Sequence, residues 1–216
     1  AINRALRAQQ SQLLALRRSE EAREISRALL GQLARFLRAA GQKRPAGGVP
    51  RYRLTLGVRA VGLRGDTLCG DCGTSFQCGV TQYVLLCDGM GTGSGAQSDA
   101  QEAISVLQSL LTLGFDAMDA AAMLNELYVL RGDGCFSTVD LLEMDLCTGE
   151  GALYKWGAAP SYLKKGGTVK KIGTASPPPG LGVGEEHRAE RVGLSLQRGE
   201  QLVLTTDGIP EAACEQ

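Results

Sequence analysis

Two segments of this chain share one build. YVLLCDG (83–89) and QLVLTTDG (201–208) are each an apolar run that ends in Asp-Gly. Apolar runs of this length, bounded by turn residues, predict buried strands. Each strand delivers a carboxylate, Asp88 or Asp207, at the point where side chains leave the core for a cleft. The intervening sequence narrows the fold. GMGTGSG follows Asp88 directly, and then come two segments of helical periodicity, 97–113 and 117–130. Ala100, Ile104, Leu107 and Leu111 line one face of the first; Ala121, Leu124, Leu127 and Tyr128 line one face of the second. Gly114 breaks the first helix, Asp116 is placed to cap the second, and Gly132 ends it.

Strand texture occupies the rest. YRLTLGVRA alternates, with Tyr52, Leu54, Leu56 and Val58 on one face. A loop rich in Gly and Asp (GLRGDTLCGDCGTS) precedes the first Asp-Gly strand. After the helices come STVDLLEMDL, GALYKWGAA, SYLKKG, TVKKIG, EHRAERVGLSL and QLVLTTDG, with KKGG as a hairpin turn. Strands, two helices and more strands, without βαβ alternation, predict an α+β fold with a largely antiparallel sheet.

Residues 1–41 read as one long helix, rich in Ala, Leu, Arg, Gln and Glu and free of proline. Ile25, Leu29, Leu33, Phe36 and Leu37 recur at helical spacing, and KRPAGG supplies a stop and a linker. Two domains are expected: a helix over 1–44 and a globular domain over 45–216. The helix either packs on its own domain or serves as a coiled-coil or signalling element that contacts another chain.

Composition removes several classes of function. Formal net charge is zero, which disfavours nucleic acid as a partner, because backbone binding needs positive charge. No apolar run reaches the roughly 20 residues of a membrane span, and the charged opening segment does not read as a signal peptide. Seven cysteines, an odd number with several inside apolar runs, read as reduced thiols of a cytosolic protein. Cys69 and Cys72 form a C-x-x-C, but no second pair matches it, so zinc and redox roles are disfavoured. The only histidine, His187, sits in the polar stretch EEHRAE, which argues against Ser–His or Cys–His catalysis.

The repeated strand-Asp-Gly pattern has a chemical reading. Asp71, in the loop before the first of these strands, is a third candidate carboxylate beside Asp88 and Asp207. Three carboxylates brought together need neutralising, and oxygen ligands suit magnesium, manganese or calcium. Gly89 would let its carbonyl lean toward the same ion. Asp-Gly is also a common turn dipeptide, so on pattern alone turn and metal ligand both remain open. GTGSGA (91–96) resembles a dinucleotide loop, but that loop needs a βαβ unit, and a second helix follows here instead. No Gly-Lys-Ser/Thr is present for a Walker loop.

The collinear run CGDCGTSFQ, YVLLCDGMGTGSGAQSDAQEAISVLQSLL, CFSTVDLLEMDL, KWGAAPSYLKKGGTVKKI, TASPPPGLG and LVLTTDGIPEA resembles the phosphatase domain of the stage II sporulation protein E family. That family belongs to the metal-dependent Ser/Thr phosphatases of type 2C. The resemblance covers roughly residues 50–213, and the long N-terminal helix resembles the regulatory helix that precedes the domain in the family.

The resemblance implies a sandwich of two antiparallel sheets flanked by helices, with two Mn2+ or Mg2+ ions between the sheets. It makes Asp88 the carboxylate that bridges both ions, Gly89 a backbone carbonyl ligand, Asp207 a ligand of the second ion, and Asp71 an acidic residue that reaches the metals. Asp88 and Asp207 are thus the implied catalytic residues. The implied reaction is hydrolysis of phosphoserine or phosphothreonine by a metal-activated water. By resemblance the substrate is an anti-sigma factor antagonist in sporulation control. Helices 97–113 and 117–130 match a pair that switches the family's site between states, which makes GMGTGSG either a hinge or a tight, rigid loop. Homo-oligomers through the N-terminal helix are expected, as is a cytoplasmic domain of a bacterial protein whose membrane anchor lies outside this sequence. Family members continue past Asp207-Gly208 with a helix and a last strand that brings a further aspartate, so the resemblance implies a C-terminally truncated domain. The alternative is a catalytically incomplete regulatory or oligomerisation module of phosphatase fold.

Overall fold

A computed structural model describes residues 48–60, 69–131, 134–173, 176–181 and 189–208. The N-terminal helix read over 1–44, His187 and the end of the chain beyond Gly208 lie outside the described residues. In chain order the elements are β1 (Asp71–Cys78), β2 (Thr81–Gly89), α1 (Gly93–Thr112), α2 (Ala117–Arg131), β3 (Ser137–Asp145), β4 (Glu150–Trp156), β5 (Ser161–Lys165), β6 (Thr168–Ile172), β7 (Glu190–Ser195) and β8 (Gln201–Val203). They form two antiparallel sheets, a five-stranded one in the order β1-β2-β3-β4-β7 and a three-stranded one in the order β6-β5-β8.

The central strands of the larger sheet are covered on both faces. Leu85 and Leu141 are register partners, as are Cys87 and Val139, and all four are buried. Side chains alternate across a strand, so these partners share one face. α1 lies on that face: the Cys72 thiol, opposite Cys87, points to the Gln97 carbonyl. The helix buries Ala96, Ala100, Ala103, Leu107 and Leu111. Its alanines let the backbone approach the sheet closely. On the other face Leu142, Met144 and Leu153 pack against Leu163 and Ile172 of the smaller sheet. This is the core between the layers, and β3 is accordingly buried along almost its whole length, on both faces.

The helical segments match expectation in place, as do Gly114 and Asp116 in capping, while Gly132, read as the end of the second helix, lies outside the described residues. α1 ends where Gly114 takes a left-handed φ of 90°. The Asp119 amide donates to Asp116 Oδ1 at 2.9 Å, so Asp116 caps α2. Ile104 and Leu127 are less buried than the periodicity implies, and Ala103, Ala117 and Ala120 take up the contact. α1 begins at Gly93 rather than at residue 97, so part of the glycine loop is already helix.

Three strand readings need correction. The strand read over 201–208 is regular only over Gln201–Val203 and is not buried, so Asp207 lies four residues beyond its end. Asp71 does not lie in a loop: it opens β1, an edge strand whose sequence DCGTSFQC is too polar to announce itself. The alternating segment YRLTLGVRA is not a strand. Residues 51–60 have no regular structure, and Val58 is 85% exposed. The amides of Arg51 and Tyr52 bond to the Leu146 carbonyl, and Leu54 packs against the core between the sheets. Alternation alone cannot make a strand without a partner for the ladder, and no described strand pairs with this segment.

Two features position the strand ends. Gly89 lies directly beneath α1: a Cβ built there would stand 1.9 Å from the Ala96 carbonyl oxygen. Deeper between the sheets, Lys155 Nζ is hydrogen-bonded to Asp140 Oδ1 and donates to Ser161 Oγ at 2.8 Å. Lys155 and Asp140 are register partners on β4 and β3, while Ser161 opens β5, so the buried triad ties one sheet to the other. Burial pushes the Asp140 carboxyl up to about 6, with Lys155 pulling it back down.

Lys155→Met leaves Asp140 buried without its partner and is expected to cost about 3–5 kcal/mol in urea unfolding, with much of the loss recovered when Asp140→Leu is added. Gly89→Ala forces α1 off the end of β2. It is expected to lower stability by at least about 2 kcal/mol in the same measurement.

Candidate metal centre

The β1–β2 hairpin turns at Gly79 and Val80, with Gly79 at a left-handed φ of 59°. Residues equally distant from that turn face each other, and the register pairs Asp71 with Asp88. Two carboxylates therefore stand side by side across adjacent strands, on the face that looks toward the smaller sheet. Like charges directly opposite one another destabilise a strand pair. The cost shows at Asp88, whose carboxyl is raised from 3.8 to about 7. Burial is the largest cause, followed by the charges of Asp71 and Asp207 and by a hydrogen bond from the Asp88 carboxyl to Asp71. Two acidic side chains opposed in this way at a partly buried strand end make a place that a cation would suit.

Asp71 has further neighbours. Thr206 Oγ1 donates to Asp71 Oδ2 at 2.8 Å, and the Cys69 thiol donates to the same oxygen at 3.4 Å. Thr206 brings the exit of β8, and with it Asp207, to the end of the first sheet. Asp207 acts on Asp88 through its charge. Gly70 closes over Asp88, where a Cβ would lie 3.9 Å from Asp88 Oδ1 and 3.1 Å from the Ala96 Cβ. Gly89 ends β2 opposite Ser137 and is buried.

The structure thus brings Asp71 and Asp88 into contact and sets Asp207 near them. Among the described residues, no three His, Cys, Asp or Glu side chains converge closely enough to make a ready cage for an ion. The donors fit a hard divalent cation in kind, since they are carboxylate oxygens with one backbone carbonyl beside them. Cys69 and Cys72 flank Asp71, and burial is the largest influence raising both thiols, which disfavours the thiolates a soft metal would need.

The helices are anchored at this same end of the molecule. The Tyr128 hydroxyl of α2 is 2.8 Å from Ser137 Oγ and donates to the Asp99 carbonyl of α1 at 3.3 Å. Ser137 is the register partner of Gly89, so α1, α2 and the end of β2 meet there. Gly91 and Gly93 have left-handed φ of 87° and 79°, conformations that side chains rarely allow. That is the local reason for the spacing in GMGTG.

Sequence reasoning missed Thr206 and the Lys155–Asp140–Ser161 triad. The signal for the triad was present: a lysine and an aspartate each sit inside an apolar strand, and such charges are rarely buried unless paired. For Thr206 no signal existed, because its partner lies 135 residues away.

The family model described as Stage II sporulation protein E (SpoIIE) matches residues 80–216. Stage II sporulation protein E of Bacillus subtilis (strain 168) is 31% identical over 76% of this chain, and that of Priestia megaterium 30% identical over 74%. The matches span only 20% and 27% of those two proteins. A solved structure of the PP2C phosphatase domain and a fragment of the regulatory domain of the cell fate determinant SpoIIE from Bacillus subtilis superposes with a TM-score of 0.70 at 29% identity. That superposition covers 78% of this chain and 50% of the solved one. Two antiparallel sheets flanked by two helices, with the collinear sequence match, place this chain in the stage II sporulation protein E family with a PP2C-like phosphatase domain.

Proposed function

We propose that the chain is a module of SpoIIE-type phosphatase fold that carries part of a two-metal centre, and that in its catalytic form it dephosphorylates phosphoserine or phosphothreonine on a regulatory protein. The observation that carries this reading is the cross-strand pairing of Asp71 with Asp88 at the end of the cleft, where burial and neighbouring charge raise the Asp88 carboxyl. Asp88, the Gly89 carbonyl, Asp71 and Asp207 are the groups that would hold Mn2+ or Mg2+. Such ions, when bound, would supply an acidified water and offset the charge of the phosphoryl group.

The chain's own residues do the positioning. The hairpin register fixes Asp88 against Asp71. Packing of Ala96 over Gly89 fixes the end of β2, and the buried triad holds the two sheets at one spacing. Family membership supports an anti-sigma factor antagonist as substrate and a place in sporulation control. No helix among the described residues is long and apolar enough to cross a membrane. We place the chain as a cytoplasmic domain of a larger anchored protein, with residues 1–44 as a regulatory and oligomerising helix ahead of a domain over 45–216.

A second reading has its own support. The described carboxylates do not form a complete cage, which favours a regulatory or oligomerisation module whose catalytic centre is incomplete. Phosphate release from a phosphoserine protein, titrated with Mn2+ beside an Asp88→Asn variant, separates the two. Turnover that depends on Mn2+ and vanishes in the variant is the catalytic outcome. A chain that binds Mn2+ through Asp88 without turnover is the incomplete module.

The pH dependence follows from the raised carboxyls. Asp88 at about 7 and Asp140 at about 6 each hold a proton in the folded chain at pH values where the unfolded chain has lost it. The native state therefore binds more protons between 3.8 and about 7, and stability falls as pH rises through that window. Thermal melts in chelator are expected to show a lower midpoint at about pH 8 than at about pH 5, with Mn2+ restoring it at the higher pH. Equal midpoints in chelator would remove the strained carboxylate pair from the account.

A further inference from the structure

β8 is only three residues long and ends at Val203, yet the candidate ligand Asp207 lies four positions further on. The segment between has no ladder to hold it, and its side chains do that work. Leu204 packs against the core between the sheets. The buried Thr205 donates from Oγ1 to the Pro160 carbonyl at 2.7 Å, which ties the segment to the entry of β5 within its own sheet. Thr206 points elsewhere: its Oγ1 reaches Asp71 Oδ2 at 2.8 Å, across to the first strand of the other sheet.

We propose that Thr206 is a positioning residue, a clasp that orients the Asp71 carboxylate and sets Asp207 against the Asp71–Asp88 pair. This rests on the metal-centre reading above. A hydroxyl has one proton to give, and here it is given to a carboxylate oxygen that also accepts from the Cys69 thiol. The bond removes rotational freedom from Asp71 and simultaneously fixes the backbone one residue before Asp207. Partners that orient metal-binding carboxylates tune affinity without touching the ion. A threonine that merely braced the fold would serve as well against any acceptor of the other sheet. This one is bonded to a candidate ligand on one side and covalently adjacent to another.

The test is calorimetric titration of Mn2+ into the wild-type chain, Thr206→Val and Thr206→Ser, with a metal-free thermal melt of each. Valine keeps the shape of threonine and removes the hydroxyl, and serine keeps the hydroxyl. Thr206→Val is expected to weaken Mn2+ binding about tenfold, with Thr206→Ser close to wild type and all three metal-free melts similar. A purely structural tie would lower the metal-free melt of Thr206→Val and leave affinity unchanged among folded molecules. Wild-type affinity in a folded Thr206→Val overturns the inference and leaves the metal centre standing. No binding by the wild-type chain overturns the metal centre, and the inference with it. Should Thr206→Val not fold, Thr206→Ala carries the same comparison.

Discussion

Two carboxylates opposed across one pair of strands are the constraint around which this domain is arranged. A hairpin could have placed almost any residue opposite Asp88, and nearly any would have cost less than Asp71. The burial and neighbouring charge that raise Asp88 to about 7 come from the architecture itself. α1 sits over the end of β2, Gly70 closes above the carboxyl, and the exit of β8 approaches from the second sheet. On the proposed reading such a pair would take a positive charge, and its oxygen donors would suit a hard cation better than a soft one.

Holding that arrangement requires two sheets at a fixed separation. The apolar contact of Leu142, Met144 and Leu153 with Leu163 and Ile172 provides most of the adhesion. Apolar packing tolerates some sliding, whereas a buried ion pair with a third hydrogen-bonded partner does not. Lys155, Asp140 and Ser161 therefore define the register of one layer on the other. Among the described residues Asp140 Oδ2 has no hydrogen-bond partner, so burial of the pair is only partly offset by its bonds.

The sequence disclosed much of this, for reasons that differ by element. The first strand-Asp-Gly segment, the helical pair and the cap at Asp116 were legible because each depends on local periodicity or local turn chemistry, whereas the second runs as a strand only over Gln201–Val203. β1 was not, since an edge strand needs only one half-buried face and DCGTSFQC offers little alternation. The segment at 52–58 failed in the opposite sense, for it has the pattern of a strand and no described partner. Asp71, Asp88 and Asp207 were picked out as a set, but their juxtaposition depends on hairpin register and on the approach of a second sheet. Gly89 was read as a carbonyl ligand; packing gives it a separate reason to be glycine, since α1 leaves no room for a Cβ. Thr206 could be found only in three dimensions.

The central claim is that Asp88 and Asp71 mark a cation site at the ends of these strands. Anomalous scattering from crystals grown with Mn2+ tests it most directly. The account predicts a peak against the Asp88 carboxylate, within reach of the Gly89 carbonyl and on the Asp71 and Asp207 side. Peaks found only elsewhere on the surface, with none against Asp71 or Asp88, would contradict it.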